Sequence, residues 1–398
     1  MALPRIDFLF STSEGDRAIT AAELAHPLLL SPGKSHPFLT LGDLLSGAAD
    51  FLLRQHPDQT RLALEAIAGR TIPWDDIGSI AIRSEKQGAL YQIASVEFHP
   101  LPGRPPCPRL ALTSALTPDA SACLAHEFGL LQALGQRRQG HRLQRVFFAG
   151  EVPLGKAGGE PQARFVCGEW IIGHHEWHVS RAPGTDEQVF VLWDTNRGHR
   201  RLEPFQTHEL FRQAAFILTS FFDPGNGREI TPWHHAAGDF IVRTDGGVGV
   251  RLVTVRDFRP VVEIPGGGEA IPVRLLLFLI HLTVRMRLDK VDGVGQPAWL
   301  NEGVIAPTLE GFLTALHDRA AHGETLPLSP EGFLALCRMF PAPDLLTTAS
   351  PLLAAYQHEA ASDATLIASR WEAHMHELAN VLAHVTLHPP QQKGDPHG

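Results

Sequence analysis

At 398 residues the chain is too long for one small core and suits two domains, or one two-lobed domain with an extension. Hydrophobic residues make up 44% and charged ones 19%, an ordinary globular balance, and the net charge of -9 supplies no overall basic field to draw in nucleic acid or an anionic membrane. Cys107, Cys123, Cys167 and Cys337 lie far apart with no CxxC pair, which argues against a zinc ribbon or dense disulfide framework and for free thiols in a cytoplasmic protein.

The opening MALPRIDFLFSTSEGD has no basic segment leading into a long apolar one, so no secretory signal is read there. Residues 1–72 are expected to form a helical extension, with helical patterns at 41–53 and 59–67 and a break at His56-Pro57-Asp58 that offers an N-cap. From Ile77 the apolar period changes to two. Strands at 79–84 and 91–98, joined by the Gly-bearing turn 85–89, predict a hairpin, and a third strand follows at 109–116. Pro118-Asp119 then opens a helix through 123–134. Strands at 145–149 and 163–172 flank a Gly-rich loop, and 189–193 is a further apolar segment. Helical spacing returns from Thr207 to Phe222, and again over 271–288, 307–321, 329–339 and about 350–386, before a tail at 388–398 with the composition of a disordered segment. The apolar run 275–284 contains His281 and is bracketed by Arg274, Arg285 and Arg287; it is too short to span a bilayer and reads as a buried helix.

Chemistry concentrates between these helices. PWHHAAGDFIV at 232–242 and VTVRDFR at 253–259 set two Asp-Phe corners against apolar strands, where Asp239 and Asp257 can aim two carboxylates into one cleft. Hard oxygen donors of this kind suit Mg²⁺, which is commonly held by one or two carboxylates together with substrate phosphates. The plainer reading is a pair of turn residues capping strand ends.

The order hairpin, strand, helix, two strands, helix, acidic strand-loop-strand and helices resembles the protein-kinase-like fold in its aminoglycoside and choline phosphotransferase branch, over about residues 75–390. The resemblance implies an α+β, two-lobed fold. A small antiparallel N-lobe sheet with one helix (73–172) would stand above a mainly helical C-lobe (173–387), with ATP and Mg²⁺ in the interlobe cleft. Position by position, it places Lys86 and Gly88 in the turn over the phosphates, Thr113 where the phosphate-pairing lysine is usual, and Glu127 on the glutamate that normally pairs with that lysine. Glu169, in Cys167-Gly168-Glu169-Trp170, falls at the adenine-contacting hinge. Asp239 falls on the metal-binding asparagine, Asp257 on the metal-binding aspartate of Asp-Phe-Gly, and His234 on the catalytic aspartate. The lysine and the general-base aspartate are thus both replaced. The implied activity is phosphoryl transfer from a nucleotide to a small hydroxyl or amine acceptor, with His234 as proton acceptor and Lys86 or Arg83 supplying the displaced charge. The alternative is a catalytically inactive binding or regulatory module, with residues 1–72 offering a surface to a protein partner.

A separate candidate is Gly-His-His-Glu-Trp-His at 173–178, where His174, Glu176 and His178 share one face of an extended segment. This is the donor type of a two-His, one-carboxylate metal site, or else a hydrogen-bonded histidine cluster in a chain that has 22 of them. Gly246-Gly247 and 266–268 match no phosphate-loop pattern and read as a hairpin turn and a linker.

Overall fold

The computed structural model describes residues 4–12, 15–31, 34–88, 90–155, 162–194, 197–234, 238–293, 295–358 and 360–385. It is a mixed α+β structure that divides into two compact units, Met1–Gly173 with Asp194–Gly198, and His174–Trp193 with His199–Gly398.

The first unit begins with β1 (Arg5–Thr12) and β2 (Gly15–Ala18), then α1 (Ala21–Leu24), β3 (Pro27–Ser31) and β4 (Lys34–Thr40). Four strands therefore occupy a region read from sequence as helical. The alternation in RIDFLFST already has the strand period: β1 pairs in parallel with β5 (Ile77–Gln87), from Arg5 opposite Ser79 to Phe10 opposite Ser84. The helices expected after residue 40 do form, as α2 (Leu41–Asp50), continued by a π-helical turn at Phe51–Gln55, and α3 (Pro57–Ala68). Thr40 caps α2 through a reciprocal capping box with Asp43, whereas α3 starts at the expected break with His56 in the cap position and no side-chain cap bond.

Beyond β5 come β6 (Gln92–Pro100), β7 (Arg109–Ala115), α4 (Pro118–Gly135), β8 (Val146–Pro153) and β9 (Gln162–Glu169). The seven-stranded sheet runs β2-β1-β5-β6-β7-β9-β8, antiparallel at every pairing except β1 with β5. One apolar core joins residues 1–72 to this sheet: Phe51, from the π-helical turn, stacks on Phe148 of β8 and Phe165 of β9 at 5.2 and 5.3 Å. That segment is part of the same compact unit, with Leu45, Leu52 and Leu64 buried in one core with the apolar residues of the sheet.

The second unit opens with a three-stranded sheet of β10 (Glu176–Arg181), β11 (Gln188–Asp194) and β12 (Gly198–Arg201), followed by α5 (Pro204–Phe221). Two-stranded pairs then link β13 (Glu229–Ile230) to β16 (Phe258–Arg259) and β14 (Phe240–Arg243) to β15 (Gly249–Leu252). α6 (Ile271–Arg287) leads into β17 (Leu288–Lys290) and β18 (Pro297–Trp299), then α7 (Ile305–Ala321), α8 (Pro330–Cys337), α9 (Ala342–Thr348), α10 (Ser350–Tyr356) and α11 (Ala361–His384). The helix expected over 350–386 is thus split, and β12, β17 and β18 were absent from the sequence reading. The tail at 388–398 lies outside the described residues. As expected, α6 is buried, without interruption from Arg274 to Arg287.

Glycines report how tightly the helices pass. A Cβ added at Gly311 of α7 would lie 2.0 Å from the Arg212 carbonyl oxygen and 2.9 Å from Ala215 Cβ on α5, whereas one at the exposed Gly129 of α4 meets nothing within 4 Å. Gly311→Ala should therefore lower stability by about 1–3 kcal/mol through overpacking, while Gly129→Ala raises it by up to about 1 kcal/mol through helix propensity. Urea unfolding of the two variants checks the contrast.

Candidate functional site

The acidic corners sit on a laced pair of loops in the second unit. β13 pairs with β16, Thr231 donates its N–H to the Asp257 carbonyl at 3.1 Å, and Val253 donates to the Asp239 carbonyl at 2.8 Å. These backbone bonds fix the segments on either side of the β14–β15 hairpin against each other, so Trp233, His234, Asp239 and Arg256 belong to one cluster.

Asp239 has a side chain only 1% exposed, and both carboxylate oxygens are engaged. Oδ2 accepts the His234 backbone N–H at 2.7 Å and Arg256 Nη1 at 2.5 Å; Oδ1 accepts the Thr254 hydroxyl at 2.7 Å and Arg256 Nη2 at 2.6 Å. This is a bidentate guanidinium fork, the strongest common way to hold a buried carboxylate. Asp257 accepts the Phe258 N–H at 2.8 Å and pairs with Arg259 Nε at 3.1 Å. Its side chain is 35% exposed and that of Arg259 55%, so this pair contributes little, about 0–1 kcal/mol. His234 is half-buried, and its Nε2 faces Nη2 of the buried Arg285 at 3.4 Å while the same nitrogen donates to the Trp233 carbonyl at 3.0 Å. All three groups read as catalytic or metal-binding thus have an arginine beside them.

The donors do not fit a divalent ion as they stand. Mg²⁺ takes carboxylate oxygens that can face it, but those of Asp239 face Arg256, and among the described residues no group of three His, Cys, Asp or Glu side chains gathers around one point. The alternative cluster fares likewise. Glu176 and His178 do share a face of β10, with Oε2 and Nε2 3.7 Å apart, but the buried His178 ring packs at 4.1 Å on Trp193, which stacks in turn on His199 at 4.9 Å. The His178 ring is thus held by aromatic packing against β11.

The phosphate and hinge residues lie in the first unit. Lys86 pairs with Ile93 and Ile93 with Thr113, so Lys86 and Thr113 occupy one cross-strand row. Glu127 is buried on α4. The Gly88 N–H is engaged by the Tyr91 carbonyl at 2.8 Å, and Ala89 of the same turn lies outside the described residues. Glu169 donates its N–H to the Arg145 carbonyl at 2.8 Å, and its own carbonyl accepts from Gln144 Nε2 at 3.2 Å. The adenine role that the resemblance implies for the Glu169 backbone thus meets groups already paired with the segment that leads into β8.

Sequence reasoning missed a second polar cluster beneath the loops. Glu229 Oε2 lies 3.7 Å from His281 Nε2, His281 Nδ1 meets the Tyr356 hydroxyl at 2.8 Å, and all three side chains are buried. Burial pushes the Glu229 carboxyl well above the ordinary range against the pull of Arg259 and Arg285, and pushes the His281 imidazole down to about 3, helped by the same arginines. Nearby, Thr283 and Arg287 contact His374 at 3.1 and 3.3 Å, and burial followed by Arg287 brings that ring down to about 3. Glu229 also lines a recess of about 270 Å³ of empty space, counted with its open mouth, beside Phe222, Ile264, Leu277 and Phe278. The signal in sequence was His281 within an apolar run and four residues from Arg285, one helical turn apart on the same face.

No family model matches the chain, and no curated protein matches it.

Two predictions follow from these geometries. Arg256→Ala leaves a buried carboxylate without its counter-charge and should cost about 3 kcal/mol, whereas the neutral pair Asp239→Asn with Arg256→Gln should cost less; chemical denaturation compares them. His281 and His374 stay unprotonated when folded down to about pH 3 but take protons near 6.5 when unfolded. Stability is therefore lost as pH falls from 6.5 toward 3, by up to about 1.4 kcal/mol per pH unit for each ring. His281→Gln should make that acid limb shallower in unfolding curves taken between neutral and mildly acid pH, while the raised Glu229 carboxyl acts oppositely, weakening the fold as pH rises through its elevated value.

Proposed function

We propose that the chain is a divergent kinase-like module that binds a phosphate-bearing nucleotide without transferring its phosphoryl group. The order of elements supports the kinase-like part: the β5–β6 hairpin, β7, α4, β8, β9, then α5, the β14–β15 hairpin between two acidic corners, and a run of helices. The observation that carries the inactive part is the pairing of His234, Asp239 and Asp257 with Arg285, Arg256 and Arg259. Phosphoryl transfer depends on charge neutralisation at the phosphates by metal ions and on a positioned proton acceptor. Here the acids neutralise arginines instead, and the imidazole nitrogen at the acceptor position faces a donor. The free cysteines and the absence, among the described residues, of a helix long and apolar enough to cross a membrane are compatible with a cytoplasmic setting.

One observation favours an active phosphotransferase as a second reading. Lys86 shares the cross-strand row of Thr113, so a lysine is carried on the row where the resemblance implies one, two strands away.

The test is a thermal-shift series with ATP, ADP and AMP, followed by an assay for nucleotide turnover with a panel of small amine and hydroxyl acceptors. Ligand at about a hundred times Kd should stabilise by about 2.7 kcal/mol, a shift of several degrees, with no turnover. Turnover lost in both Asp257→Ala and Lys86→Ala would establish the second reading, and the absence of any shift would remove the nucleotide from both.

A further inference from the structure

We infer that the recess beside Glu229 is a binding site for a small neutral molecule with an apolar body and one hydroxyl group, a short aliphatic alcohol being the simplest case. The site lies within the second unit and does not depend on the nucleotide.

Two buried atoms set the polar requirement. Glu229 Oε2 and His281 Nε2 have no hydrogen-bond partner among the described residues, although their side chains are only 5% and 3% exposed. At 3.7 Å they are too far apart to satisfy each other directly. The Val261 N–H donates to the same carboxyl and His281 Nδ1 meets the Tyr356 hydroxyl at 2.8 Å, so one atom of each group is left over. A polar atom kept from water without a partner is costly, and a single oxygen at ordinary hydrogen-bond distance can reach both. A hydroxyl suits them whichever tautomer His281 adopts, because it donates and accepts at once.

The walls set the apolar requirement. Glu229 lines the recess of about 270 Å³, counted with its open mouth, among Phe222, Val262, Ile264, Leu277, Phe278 and Leu352. A water held there would find only these two unpaired atoms, the lower limit for a buried water, whereas an alcohol makes the same two bonds and also covers the apolar walls. Charge narrows the class further. Burial keeps the Glu229 carboxyl protonated well above the ordinary range, so it offers no negative charge to an ammonium group, and Arg259 and Arg285 stand near enough to oppose one. Arg274, the charged residue of the wall, has all three guanidinium nitrogens donating to backbone carbonyls, so a carboxylate would give up its hydration for no oriented cationic donor.

The experiment titrates butan-1-ol, n-butylamine and butyrate, three probes with the same short chain, into the full protein at neutral pH and reads Kd by ligand-observed NMR. Saturable binding of butan-1-ol is expected, with the amine and the carboxylate weaker by about tenfold or more. Glu229→Met keeps the length of the side chain but removes its hydrogen-bonding oxygens, and should weaken butan-1-ol by about fivefold or more. Glu229→Gln retains a donor and an acceptor and should stay within about twofold. Because a change at Glu229 could act through folding, Val262→Trp, at a half-buried position of the wall, fills the recess with Glu229 untouched and should abolish butan-1-ol binding while the melt stays cooperative. The site is overturned if butan-1-ol does not bind saturably, which would leave the recess to water alone. It is equally overturned if the amine or butyrate binds as tightly, or if Kd is unchanged in folded Glu229→Met or Val262→Trp.

Discussion

A helix that cannot leave its polar side chains unsatisfied organises the second unit. α6 is buried from Arg274 to Arg287, and a guanidinium or imidazole taken out of water must find hydrogen-bond partners in the protein. The loops come to it. Arg274 donates to the carbonyls of Gly225, Ile264 and Gly266 at 2.6 to 2.7 Å, Arg285 to that of Trp233, and Arg287 to that of Leu300 at 2.8 Å. Arg287 also pairs with Glu377 and lies over the Trp299 ring at 5.0 Å, which ties α11 and β18 to the same helix. The irregular segments on both sides of the β14–β15 hairpin are therefore held by side chains of one regular element.

That arrangement explains how a loop with few regular hydrogen bonds can present a fixed set of charges. The Trp233 carbonyl hangs from Arg285, the next residue's N–H reaches Asp239, and Asp239 anchors Arg256. The chain of contacts runs from the interior of α6 to a partly exposed guanidinium, each step a hydrogen bond in which at least one partner is charged. Removing Arg256 leaves the buried Asp239 carboxylate without its counter-charge, and the shared partners mean that the cluster is expected to respond to mutation as a unit.

Much of this was legible where one rule acted alone. Apolar spacing located α4, α5, α6 and α7, and the switch to a period of two located β5, β6 and β7. What stayed hidden depended on partners far away in sequence. β1 obeys the strand period, but only its parallel pairing with β5 makes it part of a sheet, and β17 and β18 are three residues each, below the length at which alternation can be recognised. At the candidate site, sequence singled out Asp239 and Asp257 as acids at corners and read Arg256 and Arg259 merely as neighbours in the motif. Which side of Asp239 faces solvent, and that Arg256 turns back onto it across the hairpin, is fixed by the register of β14 with β15. Likewise, Glu229 of β13 and His281 of α6 meet across 52 positions of sequence.

The parallel strand at the amino end also bears on the order in which the polypeptide can assemble. Arg5 has to wait for Ser79 and Phe10 for Ser84 before either can complete its ladder, and a contact between distant positions closes a long loop at an entropic cost. β1 thus cannot reach its final pairing until β5 is in place. Until then Ile6, Phe8 and Phe10 lie on an unpaired strand, the kind of edge that another strand can pair with.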